Sequence, residues 1–207
     1  MTIQTDSVNK TWESFRELYV DALLRVDEPG AERVVDDARS LGGAREVFVR
    51  LMTPAHAHIG ELWHAGTINI AQEHASSAIG ARLVHRVTRA STERARIGAR
   101  CLVATPEGEL HELGARMVAD LLHLDGWEVT YLGASTPASD LASLVAAKKP
   151  DVVLLSVTLR ESLAAANDCI VALRALENPP KILAGGGAAR ELTGADATAY
   201  DANQGLR

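Results

Sequence analysis

Two different rhythms of apolar residues divide the chain. From about Val8 to Ala90 they recur at three- and four-residue intervals: Trp12, Phe15, Leu18 and Tyr19; Val34, Val35, Ala38 and Leu41; Val47, Leu51 and Leu62; Ile70, Ala78 and Leu83. The spacing predicts four helices, with breaks at Glu28-Pro29-Gly30, at Gly42-Gly43 and at Gly66-Thr67. At the last break, Gly66 suits the left-handed conformation that ends a helix, and Thr67 suits capping the next one. Short connections make successive helices antiparallel, hence an N-terminal four-helix bundle.

After Arg100 short apolar runs alternate with helical patterns. "CLVAT", a helix from about His111 to Leu124, "EVTYL", a helix from about Ala138 to Ala147, "VVLLSV", a helix from about Ser162 to Leu176 and "KILAGGG" follow one another. Near-continuous apolar strands separated by helices predict a parallel sheet covered on both faces, a doubly wound α/β domain of Rossmann-like or flavodoxin-like type. The residues after Gly194 read as a short final strand and a helix turn. The expected domains are 1–92, the bundle, and 93–207, the α/β domain, with the Arg-rich "RASTERARIGAR" as the linker.

Composition narrows the function classes. With 207 residues and 47% hydrophobic content, the chain can bury a substantial core. A net charge of −6, with no basic stripe, argues against a nucleic-acid surface. Cys101 and Cys169 have no Cys or His partner at zinc-site spacing and read as two buried thiols of a reducing compartment. No basic-then-apolar leader and no apolar run of about 20 residues is present, so a cytoplasmic protein is expected, neither exported nor inserted in a membrane.

Ligands of open parallel sheets bind at the carboxyl ends of the strands, so the loops after the strands are where chemistry is sought. The first ends in "TPEGELHELG", with Glu109, His111 and Gly114; the third in "SVT", Ser156 to Thr158; the fourth in Gly185 to Gly187. A histidine with a carboxylate two residues earlier suits metal ligation, because the carboxylate can hold one ring nitrogen and leave the other for the metal. Consecutive glycines suit a bulky group approaching the backbone, and equally a tight turn or a phosphate cradle. Singly, a loop histidine or a strand-end serine is unremarkable. Their combination carries the signal.

"ELHELG", then 41 residues, "SVT", then 26 residues and "GG" resembles the cobalamin-binding fingerprint Asp/Glu-x-His-x-x-Gly, Ser-x-Leu/Val, Gly-Gly. The resemblance implies a base-off cofactor whose dimethylbenzimidazole tail enters a slot in the sheet while the histidine becomes the lower cobalt ligand. Carried over, His111 ligates cobalt, Glu109 and Ser156 complete its hydrogen-bonded relay and the tail pocket, and Gly114, Gly185 and Gly186 make room. Glu109 stands where Asp is frequent, and Thr158 where Leu or Val is usual. Neither departure removes a ligand.

In that family a helical bundle covers the upper face of the corrinoid. Trp63, nine residues, then Glu73-His74 is similar to the signature of the light-sensing adenosylcobalamin regulators of bacterial carotenoid genes. That resemblance implies that Trp63 packs over the 5′-deoxyadenosyl group, that Glu73 and His74 contact the adenosine and ribose, and that His64 takes the upper cobalt site once light has removed the adenosyl group. The remaining histidines, His56, His58, His85 and His123, lack ligand spacing and read as solvated or capping residues. Those regulators begin with a winged-helix DNA-binding domain, whereas here a few polar residues precede the first helix. The expectation is therefore a non-enzymatic light sensor that signals to a partner protein or through a light-dependent homo-oligomer. A corrinoid carrier between methyltransferases is the alternative, and an unrelated nucleotide or metabolite binder a third.

Overall fold

The computed structural model describes residues 11–199, which fall into two compact units divided between Ser91 and Thr92. Val8 and the helix turn expected at the C-terminal end lie outside the described residues.

The first unit is helical. Helix α1 (Trp12–Leu24) starts at a Thr11/Ser14 capping box and ends in a Schellman turn, in which Val26 and Asp27 donate to the carbonyls of Leu23 and Ala22. Helix α2 (Glu28–Ala38) begins where the sequence suggested a break. Pro29 has no N–H to lose in a first turn, and Asp27 caps the Gly30 N–H at 2.9 Å, so Pro-Gly starts this helix. The third expected helix is one continuous helical run: α3 (Ala44–Glu46), a π-helical segment (Val47–Met52) and α4 (Thr53–His64). Pro54 cannot donate to the carbonyl of Arg50, and the Thr53 N–H reaches back five residues to Phe48; the wider turn accommodates the proline ring.

Val47, Phe48, Leu51, Met52, Ala55 and Ile59 are buried along this run, a single face at helical spacing. Helix α5 (Ile70–Arg89) is capped by Asn69 and Gln72, not by Thr67 as expected. Thr67 is occupied with the end of α4: it donates to Leu62 and Gly66 donates to Trp63, with Gly66 at φ +70. Leu18, Leu41, Ile70 and Ala78, which mark the helical spacing in the sequence, are exposed, whereas Ile79, Val84 and Val87 are buried in α5.

The second unit is a five-stranded parallel sheet in the order β2-β1-β3-β4-β5, the flavodoxin-like arrangement. Its strands are β1 (Arg100–Ala104), β2 (Glu128–Tyr131), β3 (Val152–Ser156), β4 (Lys181–Gly185) and β5 (Ala197–Ala199). Alternation along each strand assigns the two faces. Leu102, Ala104, Val153, Leu155, Ile182 and Ala184 pack with α7 (Ala138–Lys148) and α8 (Leu163–Arg174). Cys101, Val103 and Leu154 pack with α6 (Leu113–Leu124). Both cysteines are buried thiols.

The segment expected to be a linker docks, from Thr92 onward, on the end of α6. Arg94 N–H donates to Leu124 and Ile97 N–H to Gly126, and the Arg94 side chain pairs with Asp125 at 3.1 Å. A side chain at Gly126 would collide with the Ala95 carbonyl, so this glycine lets the segment lie flat. Among the described residues no helix is long and apolar enough to cross a membrane.

Candidate functional site

The carboxyl edge of the sheet gathers the loops after β1, β3 and β4, and the carboxylate of Glu109 ties two of them together. Glu109 is fully buried. Its Oε1 accepts from the His111 backbone N–H at 3.0 Å and faces His111 Nδ1 at 2.7 Å. Its Oε2 accepts from the backbone N–H groups of Thr158 and Leu159, both at 2.9 Å. Burial works to raise the pKa of this carboxyl, but the hydrogen bonds from His111, Leu159 and Thr158 outweigh it and hold the value at about 2.

An ionised carboxylate can only accept, so the proton of the neutral His111 ring sits on Nδ1 and Nε2 is the atom that can ligate a metal. The imidazole is about half exposed, with 48% of its side-chain surface open. A carboxylate on the far ring nitrogen fixes a ligating histidine in one tautomer and one direction. Among the described residues no group of three or more His, Cys, Asp or Glu could hold a metal ion by itself. A lone, oriented imidazole instead suits the axial position of a metal that arrives with its own equatorial ligands, as cobalt does in a corrin ring.

The other fingerprint residues take more varied positions. Thr158 enters through its backbone N–H, which explains why its departure from Leu or Val leaves the Glu109 clamp intact. Ser156 was expected in the relay; the donors to the Glu109 carboxylate are the N–H and Nδ1 of His111 and the N–H groups of Thr158 and Leu159, and the Ser156 hydroxyl is not among them. It ends β3, largely buried and in register with Gly185 of β4. Gly186, at φ +103, lies so close to β3 that a Cβ would stand 2.4 Å from the Val157 carbonyl oxygen. Gly185 would meet only an ordinary contact, with Ala199, and Gly114 faces open space.

The bundle residues belong to the other unit. Trp63 and His64 form the exposed end of α4, Trp63 with 42% of its surface open. Glu73 lies half-buried in the first turn of α5, its Oε1 accepting from the Ser77 hydroxyl at 2.7 Å and its Oε2 3.7 Å from Nε2 of the exposed His74. His58 and His85 are exposed, and His123 sits between Glu93 and Arg96. His56 is partly buried and not a cap: its Nε2 lies 3.2 Å from the Tyr19 hydroxyl, and burial pushes its pKa down to about 4.

The loop after β2 carries further contacts that the sequence does not mark. Ser135 in "LGASTP" hydrogen-bonds the loop that carries His111, as does Thr105 at the end of β1. Neither has a periodicity or composition that marks it, because their partners lie in other loops.

A flavodoxin-like sheet with a single carboxylate-oriented imidazole on its carboxyl edge defines a cofactor-binding α/β domain of the doubly wound class. The chain belongs to the B12-binding domain family: two models described as B12 binding domains match residues 99–204 and 16–87. It is 36% identical to the HTH-type transcriptional repressor CarH of Myxococcus xanthus over 86% of this chain and 59% of that protein. To the repressor CarA of the same organism it is 32% identical over 87% and 61%. The chain thus spans about 60% of the length of these two relatives. Dimethylamine corrinoid protein 2 of Methanosarcina acetivorans is 21% identical over 90% of both chains. The fold is shared with the monomethylamine corrinoid protein of Methanosarcina barkeri, at a TM-score of 0.79 and 19% identity over 94% of this chain and 96% of that one.

Proposed function

We propose that the chain is an adenosylcobalamin-binding light sensor rather than an enzyme. The observation that carries the reading is the buried Glu109 carboxylate 2.7 Å from Nδ1 of the half-exposed His111, which presents Nε2 as a lower axial ligand for cobalt. Ser156, Gly185 and Gly186 would line the slot for the cofactor's tail, and Gly114, where a Cβ would meet nothing within 4 Å, would leave room for the ring. When bound, adenosylcobalamin supplies a cobalt–carbon bond that green or ultraviolet light breaks. On the bundle, Trp63, Glu73 and His74 would hold the adenosyl group, and His64 would be the residue available to the cobalt in its absence. The Trp-x9-Glu-His spacing and the 36% identity to a CarH repressor support this assignment over other corrinoid proteins. The output is a rearrangement of the bundle, read by a partner protein or by self-association.

The experiment is reconstitution with adenosylcobalamin in the dark, followed by visible spectra and size-exclusion chromatography before and after illumination. A protein-bound spectrum distinct from the free cofactor, changing with light together with elution volume, is expected. His64→Ala alters the illuminated spectrum and leaves dark binding intact. A corrinoid carrier is the second reading, favoured by the match along 90% of a dimethylamine corrinoid protein. It predicts instead a light-independent elution volume and methyl exchange with a methyltransferase.

A further inference from the structure

The Glu109 carboxylate sets the direction of the imidazole, and a second set of bonds holds the main chain from which that carboxylate springs. Thr105 is fully buried, and its hydroxyl donates to the Glu109 carbonyl at 2.9 Å. The Ser135 N–H is shared between Thr105 Oγ1 at 2.8 Å and the Glu109 carbonyl at 3.1 Å. The Ser135 hydroxyl accepts from the Gly108 N–H at 3.0 Å. Pro106 and Thr136 form an isolated bridge beside this frame, and the Thr136 N–H donates to the Thr105 carbonyl at 3.0 Å.

Ser135 adopts φ +57, a left-handed conformation that costs an L residue other than glycine about 1 kcal/mol. That conformation lets its N–H and its hydroxyl both serve the loop after β1. The loop after β2 therefore grips the His111 loop at two points, Gly108 and Glu109, across nearly thirty residues of sequence.

We propose that Thr105 and Ser135 are positioning residues for His111, holding the main chain of residues 108–111 so that the imidazole meets cobalt at bonding distance. The inference rests on the assignment of His111 as the lower ligand. It predicts that loosening the frame weakens cobalt ligation before it weakens the fold, since the strands and both faces of the sheet are packed independently of this loop.

The test uses the full chain with cob(II)inamide, which has no nucleotide base, so nitrogen splitting in its electron paramagnetic resonance spectrum can come only from a protein imidazole. Affinity is measured in parallel by visible titration, and melting of the apoprotein by circular dichroism. Thr105→Val removes donor and acceptor at nearly constant shape; Ser135→Gly keeps the backbone conformation without strain and removes the hydroxyl. Both are expected to lower affinity about tenfold and to attenuate the nitrogen splitting, with Thr105→Ser restoring both. Ser135→Gly decides the matter if Thr105→Val does not fold. Wild-type affinity and splitting in Ser135→Gly overturn the proposal while leaving His111 as the ligand. Absence of splitting in the wild-type protein overturns the ligand assignment itself.

Discussion

Nδ1 of His111 lies 2.7 Å from Oε1 of Glu109, and the two differ sharply in exposure: the carboxylate is buried and the imidazole is about half open. The anion is kept inside by the N–H groups of His111, Thr158 and Leu159, so it orients the ring without meeting solvent. Glu109→Gln preserves the shape but cannot accept from all four donors. It is expected to destabilise the apoprotein by about 2 kcal/mol and to weaken cobalamin binding at least about tenfold, measured by denaturant unfolding and visible titration. Unchanged affinity refutes the orienting role.

The glycines separate fold from site. Gly186→Ala forces a Cβ against the Val157 carbonyl at a φ that L residues rarely adopt, and is expected to lower stability by about 2 kcal/mol or more. Gly114→Ala meets nothing within 4 Å and is expected to leave the melting temperature of the apoprotein unchanged. If the cofactor occupies that space, Gly114→Ala lowers cobalamin affinity, and an equilibrium titration reads the difference.

Two Schellman turns of the bundle place different residue types at the left-handed position. The turn after α4 has Gly66 at φ +70, whereas the turn after α1 has Val26 at φ +54 with half its surface exposed. A β-branched residue in the left-handed region is strained, and no hydrogen bond of the Val26 side chain offsets it. Val26→Gly is expected to stabilise the protein by about 1 kcal/mol in urea unfolding. Nothing in the structure explains why valine occupies this position.

His56 makes bundle stability pH-dependent. Its folded pKa, about 4, lies below the ordinary histidine value of 6.5, because burial disfavours the imidazolium. Between those values the unfolded chain binds the proton and the folded chain does not, so stability falls as pH drops from 6.5 toward 4. His56→Phe is expected to reduce the pH slope of unfolding free energy in that window by up to about 1.4 kcal/mol per pH unit. An identical slope in the variant removes His56 as the cause.

Much of the fold was legible because its signals are local. Strand runs such as "VVLLS" and helix starts or stops at Gly43, Gly66 and Pro29 depend on a residue's own conformational range and its immediate neighbours. The errors lay where a neighbour's need overrode the local reading. Pro54 has no N–H for the Arg50 carbonyl, and the turn before it is π-helical, so what the spacing reads as one regular helix is a run of three segments. Thr67 could have capped α5, but its N–H closes the end of α4, and the cap moved to Asn69.

The sequence by itself determined the alternation that specifies a doubly wound sheet and the spacing that puts Glu109, His111, Ser156 and Gly186 on its strand-end loops, since both follow from periodicity and strand polarity. Only the tertiary structure decided which atoms meet. It showed the Thr158 and Leu159 N–H groups, not the Ser156 hydroxyl, satisfying Glu109, and Thr105 and Ser135 framing the loop. Such contacts join segments some thirty to fifty residues apart through single hydrogen bonds, whose direction is set by the packed sheet and leaves no periodic trace along the chain.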